Sequence, residues 1–135
     1  MLVFACETSC DETSICILDN NNIVEHIVFS QEIHDKFGGV VPELASRSHL
    51  EILQKITKKV FSQNNIFPEK IDVFCATCGP GLIGSLLVGA TFTKSLAISL
   101  GKPFVPINHL EGHILSSSFN NNITYPHLVL LLTGG

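Results

Sequence analysis

Two histidines four positions apart, His109 and His113, form a pair that could hold a metal ion. They lie in the segment INHLEGHIL. A helix beginning near Asn108 would place both imidazoles on one face, about one turn apart, where they can share an ion. A bare pair of helical histidines is more often structural or exposed, and two ligands do not complete a site. The spacing therefore predicts a metal-binding pair whose third ligand comes from elsewhere.

The glutamate between the histidines does not fit the metallopeptidase pattern H-E-x-x-H, in which the glutamate acts as the general base. Glu111 is shifted by one position and lies about 200° around a helix from His109. We expect its side chain to point away from a shared ion. This geometry disfavours peptidase chemistry by that route.

A second group of polar residues lies in the segment CETSCDET, which we expect to contain the turn of the first hairpin. Tight turns favour Asp, Ser and Thr because these side chains bond to the backbone, and spacing alone slightly favours that structural role. In a functional role, Asp11 and Glu12 at the mouth of a sheet would orient a metal-bound water or a reacting group, and nearby hydroxyls would contact phosphate. Both roles remain open at this point.

Glycine-rich and cysteine-containing segments follow. GPGLIG, residues 79–84, has the spacing G-x-G-x-x-G between a strand and a helix, but it lacks the acidic residue of a dinucleotide site and the lysine of a P-loop. A phosphate-type anion at this helix N-terminus remains reasonable, with Ser9 and Gly81 as candidate contacts. Cys75 and Cys78 have thioredoxin spacing but lie within a strand, so we expect two buried structural thiols.

The surrounding pattern predicts an α/β fold. Three β-rich runs, LVFACET, SICILD and NIVEHIVFS, predict an antiparallel meander, and the helix opened by Pro42 carries an apolar stripe at Leu50, Leu53, Ile56 and Val60. Further on, we expect a strand at 71–78, a helix at 84–100 that is apolar nearly all round and buried on both sides, an inner strand FVPIN, a helix HLEGHILSSSF and a final strand HLVLLLT. This order, βββαβαβαβ, predicts a mixed sheet of the ribonuclease H type.

Composition sets limits on the protein class. The 135 residues suit one domain, and 45% hydrophobic with only 15% charged residues indicates a surface partly covered by a partner. The net charge of -4 argues against a free-standing nucleic-acid binder, although a second subunit could supply a basic surface. An odd count of five cysteines and no signal peptide or membrane span predict a reduced, cytoplasmic protein. A terminal Gly134-Gly135 directly after a predicted strand suggests the first part of something longer.

Four motifs in register carry a family resemblance: ETSCDET, GGVVPELASRSHLE, GPGLIGSLLVG and NHLEGH. In this order and at these distances, the chain resembles the amino-terminal half of the TsaD family of tRNA threonylcarbamoyladenosine transferases, formerly described as O-sialoglycoprotein endopeptidases. The family fold is an actin-like ATPase (ASKHA) pair of ribonuclease H-like domains. The resemblance implies that residues 1–135 form the first of these domains and that the second is lacking.

By resemblance, the activity is transfer of the threonylcarbamoyl group from threonylcarbamoyl-AMP to N6 of adenosine 37 in tRNAs that read codons beginning with A. The resemblance implies a divalent metal, iron or zinc, on His109 and His113, and a catalytic role for Asp11, with Glu12 beside it. It also implies tRNA, a TsaB-like paralogue, a TsaE-like ATPase and the missing carboxy-terminal domain as partners. The implied substrate-binding segment begins with Leu132, Thr133, Gly134 and Gly135.

The sequence departs from the family pattern in two places. The His-Thr pair that follows the family's glycines is absent, and so is the aspartate of the second domain that completes the metal site. We therefore expect weak metal binding and no catalysis by the chain alone. Two alternatives stay open: a metallopeptidase, and a non-catalytic scaffold like TsaB, against which the two retained histidines argue.

Overall fold

The first three strands form the predicted antiparallel meander in a computed structural model that describes residues 1–119, 123–124 and 126–132. They are β1 (Leu2–Glu7), β2 (Glu12–Asp19) and β3 (Asn22–Ser30). β1 pairs with β2, and β2 pairs with β3. Asn20 turns the chain between β2 and β3 with a φ of 54°, a conformation that asparagine tolerates better than most residues. The polar turn that the sequence indicated is thus confirmed.

The remainder of the described chain alternates helices and parallel strands. A 3-10 helix at Glu32–Phe37 leads to α1 (Pro42–Gln63), and a 3-10 turn at Pro68–Lys70 leads to β4 (Val73–Gly79). Then come α2 (Ile83–Ser99), β5 (Phe104–Asn108) and α3 (His109–Ser116). The strand order is β3-β2-β1-β4-β5, with β4 parallel to β1 and β5 parallel to β4. This mixed α/β sheet confirms the predicted fold class.

Both long helices cover one face of the sheet, where the hydrophobic core lies. Because side chains alternate along a strand, Phe4 and Cys6 of β1 point into this core. Phe4 stacks on Phe61 of α1 with ring centroids 5.6 Å apart and meets Phe74 of β4 at 5.5 Å. Ala5 and Glu7 consequently face the other side of the sheet, where α3 packs against β4 and β5.

The helical stripes differ from the prediction at particular residues. Leu53, Ile56 and Val60 are buried as expected, but Leu50 is 65% exposed, because it lies off the face that meets the sheet. The expectation that α2 is buried on both sides is wrong for the described chain. One side of α2 meets β1 and β4, whereas Ile83, which is 77% exposed, and Leu87 and Ile98 face outward.

Four further expectations are corrected. Glu12 lies in β2 opposite Ser30, not in the turn, because the meander pairing extends two residues further than the apolar run. β5 is an edge strand of the described sheet and not an inner one. Cys75 is buried, but Cys78 is exposed at the end of β4. Residues 127–132, the described part of the predicted final strand, do not lie in a strand.

In the portion of the chain that the structure describes, no helix is both long enough and apolar enough to cross a bilayer.

Candidate metal and substrate site

The histidine pair begins directly at the end of β5, because α3 follows that strand without a loop. Asn108 ends the strand and caps the helix. Its side-chain oxygen accepts hydrogen bonds from the backbone N–H groups of Leu110 at 2.9 Å and Glu111 at 3.3 Å. Asparagine is a preferred residue at this position for that reason. The cap fixes the first turn of α3 at the carboxyl edge of the parallel strands, and His109 is its first residue.

Both imidazoles lie on one face of α3, as the spacing predicted. The Nε2 atoms of His109 and His113 face each other 3.1 Å apart, and the rings are nearly perpendicular, with centroids 4.5 Å apart and an interplanar angle of 82°. Two imidazole nitrogens bound to one zinc ion, each about 2.0–2.1 Å from it, lie roughly 3 Å apart. The pair therefore fits a shared cation. No group of three or more potential His, Cys, Asp or Glu ligands occurs among the described residues.

A carboxylate that the sequence did not single out lies behind His109. Glu7, the last residue of β1, has its Oε1 atom 3.6 Å from His109 Nδ1, and Ser9 Oγ is 3.2 Å from the same nitrogen. The Ser9 backbone N–H donates to Glu7 Oε1 at 2.7 Å. The alternation of β1 indicates which face Glu7 occupies, but the sequence carries no signal that His109 lies opposite it.

Glu7 and the two histidines border a groove of about 440 Å³ on the face of the sheet away from the core. Its polar lining includes Glu7, Glu12, Ser14, His26, His109 and His113. Glu12 Oε1 accepts a hydrogen bond from Ser30 Oγ at 2.9 Å. Glu111 does not line the groove, in agreement with the expectation that it points away from the histidines.

Asp11, the other predicted catalytic carboxylate, does not line this groove. It lies half-buried in the turn after β1. Partial burial of Cys10 and, second, the Asp11 carboxyl group raise the pKa of the Cys10 thiol. The structure thus brings Glu12 to the histidines' groove and leaves Asp11 beside it. The catalytic role of each stays a prediction.

The two candidate phosphate contacts, Ser9 and Gly81, lie against each other. The Leu82 backbone N–H donates to the Ser9 carbonyl at 2.8 Å, and a Cβ atom added to Gly81 would lie 2.7 Å from the same oxygen. Gly81 has a φ of 157°, which side chains rarely adopt. The loop before α2 is therefore closely packed on the turn after β1, and the contact of either residue with phosphate stays a prediction.

A buried histidine of α1 is hydrogen-bonded to the turn after β1. His49 of α1 is fully buried, and its Nε2–H donates to the Cys10 carbonyl at 3.1 Å. Its Nδ1 atom accepts from Thr13 Oγ1 at 2.7 Å and from Gln31 Nε2 at 3.3 Å. Burial lowers the pKa of His49, so the ring is neutral in this network. Three separate segments of the fold are joined at this ring.

The remaining predicted substrate segment is only partly described. Leu132 is 84% exposed and lies outside any strand. Thr133, Gly134 and Gly135 lie outside the described residues.

Comparisons with known proteins agree on one family. The family model TsaD, described as tRNA N6-adenosine threonylcarbamoyltransferase, matches residues 22–135. Curated proteins of that name from Pelagibacter ubique and Thermosipho africanus are 48% and 50% identical over 99% and 100% of this chain. The chain covers only 39% and 42% of their lengths.

Among solved structures, YeaZ from Pseudomonas aeruginosa is similar with a TM-score of 0.67 at 13% identity, over 87% of this chain and 49% of that one. A second chain from the same organism, described as similar to peptidase YEAZ, has a TM-score of 0.61 at 14% identity over 79% of this chain and 43% of that one. At such low identity these likenesses concern the fold alone. They agree with the ribonuclease H-like fold expected from the order of elements.

Proposed function

The chain belongs to the TsaD family of tRNA N6-adenosine threonylcarbamoyltransferases, and from that premise we propose that residues 1–135 form the amino-terminal domain of such an enzyme. The reaction proposed is transfer of a threonylcarbamoyl group from threonylcarbamoyl-AMP to N6 of adenosine 37 in tRNAs that read codons beginning with A. The observation that supports it is the facing pair of Nε2 atoms on His109 and His113, 3.1 Å apart at the edge of a groove.

His109 and His113 are the residues that would hold a divalent cation, iron or zinc, since neutral imidazole suits both ions. When bound, such an ion polarises carbonyl and phosphate oxygens and offsets negative charge on the leaving group. Two imidazoles alone bind weakly. We propose that a carboxylate from a second domain, in the part of the relatives that this chain does not cover, completes the ligand set.

The carboxylates near the groove would handle the proton of the attacking amine. In the transfer, the adenosine nitrogen forms a bond to the carbamoyl carbon, the bond from that carbon to the phosphate oxygen breaks, and AMP leaves. The nitrogen must also lose a proton, which Asp11 or Glu12 would accept. Glu12 lines the groove, and Asp11 lies in the adjoining turn. Ser9 and Gly81 would contact the phosphate, and Leu132 to Gly135 would begin the segment that binds the substrate.

The outward apolar side chains of α1 and α2 support a protein partner. Leu50, Ile83, Leu87 and Ile98 are all exposed in the described chain, and exposed apolar patches commonly mark interaction sites. We propose that a TsaB-like paralogue covers them in a cytoplasmic complex. A TsaE-like ATPase and tRNA would be the further partners. With a net charge of -4, this chain would rely on its partners for most of the basic surface that tRNA requires.

The test is reconstitution. The chain is combined with a carboxy-terminal TsaD domain, TsaB and TsaE proteins, tRNA and threonylcarbamoyl-AMP, and the modified nucleoside is measured by mass spectrometry. We expect product with the wild-type chain, background levels with His109→Ala or His113→Ala, and normal yield with Glu111→Gln as the matched control. Absence of product from the complete mixture would remove the transferase proposal for this polypeptide.

The same variants separate the alternatives. A peptidase that used Glu111 as its base would lose polypeptide cleavage in Glu111→Gln, yet this side chain lies outside the groove. A scaffold without catalytic residues would support product formation equally well after either histidine is replaced.

A further inference from the structure

We propose that Glu7, together with Ser9, is a positioning residue that holds His109 with its proton on Nδ1, so that Nε2 is free to bind a divalent cation. This proposal rests on the proposed metal pair and adds to it a part of the chain 100 residues away in sequence. It assigns to the end of β1 a role in metal binding that the histidine spacing does not reveal.

The carboxylate of Glu7 is itself held in place. Its Oε1 atom accepts the 2.7 Å hydrogen bond from the Ser9 backbone N–H, which ties it to the turn that follows β1. The same turn is fixed by the bond from Leu82 N–H to the Ser9 carbonyl. Glu7 is therefore a charge at a defined position, and its side chain is only 33% exposed.

His109 receives two contacts from this group, both at Nδ1. Ser9 Oγ lies at 3.2 Å, within hydrogen-bond distance, and Glu7 Oε1 lies at 3.6 Å, too long for a hydrogen bond but close enough for the carboxylate to attract an N–H on Nδ1. The His109 side chain is 26% exposed, so water screens this attraction incompletely. The Glu7 carboxylate makes the surroundings of this ring nitrogen negative, and the neutral Ser9 hydroxyl can accept a hydrogen bond from it.

That environment decides the tautomer. A neutral imidazole carries one N–H, and the two ring nitrogens are donor and acceptor respectively. A proton on Nδ1 points toward Ser9 Oγ and the Glu7 carboxylate, whereas a lone pair there would face a negative charge. The Nδ1–H form is favoured, and it leaves the Nε2 lone pair directed at His113, where a shared ion would lie. Metal-binding histidines commonly have such a carboxylate on their other nitrogen.

Glu7 is not placed to be a ligand itself. It approaches the Nδ1 side of the His109 ring, and the shared position between the two histidines lies on the Nε2 side. The two ring nitrogens point in divergent directions, so one ion cannot contact Glu7 and Nε2 in this arrangement. Glu7 acts through His109.

The first measurement needs no metal. Long-range ¹⁵N–¹H NMR spectra of the metal-free chain, with His109→Gln used for assignment, report which ring nitrogen carries the proton. We expect the Nδ1–H form for His109 in the wild-type chain and a mixture, or the Nε2–H form, in Glu7→Gln. A wild-type His109 found with its proton on Nε2 overturns the proposal.

The second measurement is titration of the chain with Co²⁺, followed by its visible absorption. Loss of a carboxylate behind a metal-binding histidine typically weakens affinity by about 10–100-fold, and we expect a weakening in that range for Glu7→Gln. Glu111→Gln removes the same charge from the same neighbourhood without touching His109, and we expect its affinity within about twofold of wild type. Circular dichroism checks that each variant is folded.

The outcomes separate the two proposals. Equal Co²⁺ affinity in Glu7→Gln and the wild type refutes the role of Glu7. Absence of Co²⁺ binding by the wild-type chain, or binding unchanged in His109→Ala, refutes the metal pair on which the proposed function depends. In that case the tautomer measured without metal still shows whether Glu7 positions the ring. If Glu7→Gln does not fold, the wild-type spectrum alone decides the matter.

Discussion

Replacing Gly89 with alanine should destabilise the domain, even though alanine is the better helix former. Gly89 lies in α2 where the helix crosses the end of β1, and a Cβ atom there would overlap Thr8 Oγ1. The same atom would lie 3.1 Å from Thr8 Cγ2 and 3.2 Å from Cys6 Sγ. Thr8 has no free space to retreat into, because it is 1% exposed. Glycine is therefore required here by the close approach of the helix to the strand.

The size of the effect follows from three contributions. Overpacking a rigid buried site costs about 1–3 kcal/mol. Displacing Thr8 would weaken two hydrogen bonds, from Thr8 Oγ1 to the Ser85 carbonyl at 2.8 Å and from Gly89 N–H to Thr8 Oγ1 at 3.2 Å, each contributing about 1 kcal/mol. The higher helix propensity of alanine offsets about 1 kcal/mol. The expected net loss in the free energy of unfolding is about 2–4 kcal/mol.

The assay is urea unfolding followed by circular dichroism, with Gly112→Ala as the matched control. Gly112 is also inside a helix, but an added Cβ would meet nothing within 4 Å. Without a clash, propensity alone should raise stability there, by up to about 1 kcal/mol. If the free energy of unfolding of Gly89→Ala lies within about 0.5 kcal/mol of the wild-type value, the inferred close packing of α2 on Thr8 is wrong.

Three further predictions concern other parts of the fold. Gly81→Ala should lower the free energy of unfolding by about 1–3 kcal/mol in the same assay, because of its positive φ and its approach to the Ser9 carbonyl, and a wild-type midpoint would contradict this. Burial lowers the pKa of His49 below its unfolded value of about 6.5, so the stability that its neutral hydrogen-bond network contributes should be present above that pH and lost as pH falls. We therefore expect His49→Gln to flatten the dependence of the free energy of unfolding on pH between about 7.5 and 5. An unchanged slope would argue against a neutral buried ring. Leu53→Ala, at a 2% exposed site, should lower the free energy of unfolding by about 2–4 kcal/mol. Leu50→Ala should change it by no more than about 0.5 kcal/mol and weaken only the pairing with a TsaB-like protein. Equal losses in the two variants would show that the buried face of α1 is assigned wrongly.

Local patterns were enough to predict most of the secondary structure. The meander follows from β-rich runs separated by the polar residues 9–13 and by the asparagines at 20–22, and the start of α1 follows from Pro42. Each of these signals acts within a few residues of where it lies. The prediction that α2 is buried on both sides was wrong for a physical reason. A helix that is apolar on every side gives no indication of which side its own chain covers, and only the packed structure shows that Ile83 and Ile98 face outward.

The site was predictable to the extent that it is local. Four-residue spacing places His109 and His113 on one face whatever surrounds the helix, so the pair could be read from the sequence. Glu7 could not be predicted as part of the site, because its relation to His109 depends on β4 lying beside β1 and β5 beside β4. Alternation along β1 does predict the face on which Glu7 lies: with Phe4 and Cys6 in the core, Glu7 must face the other side of the sheet.

A carboxylate on the solvent side of a strand is common, so the sequence alone does not distinguish Glu7 from an ordinary surface residue. Its significance arises from the end of the strand at which it lies. Parallel strands β1, β4 and β5 all end at one edge of the sheet, so the last residue of the first strand and the first residue after the third meet there. In a sheet of this topology, a charged residue that ends a central strand on the face away from the core is a candidate partner for whatever begins the helix after the edge strand. Here those two residues are Glu7 and His109, and Glu7→Gln tests whether their proximity governs metal binding.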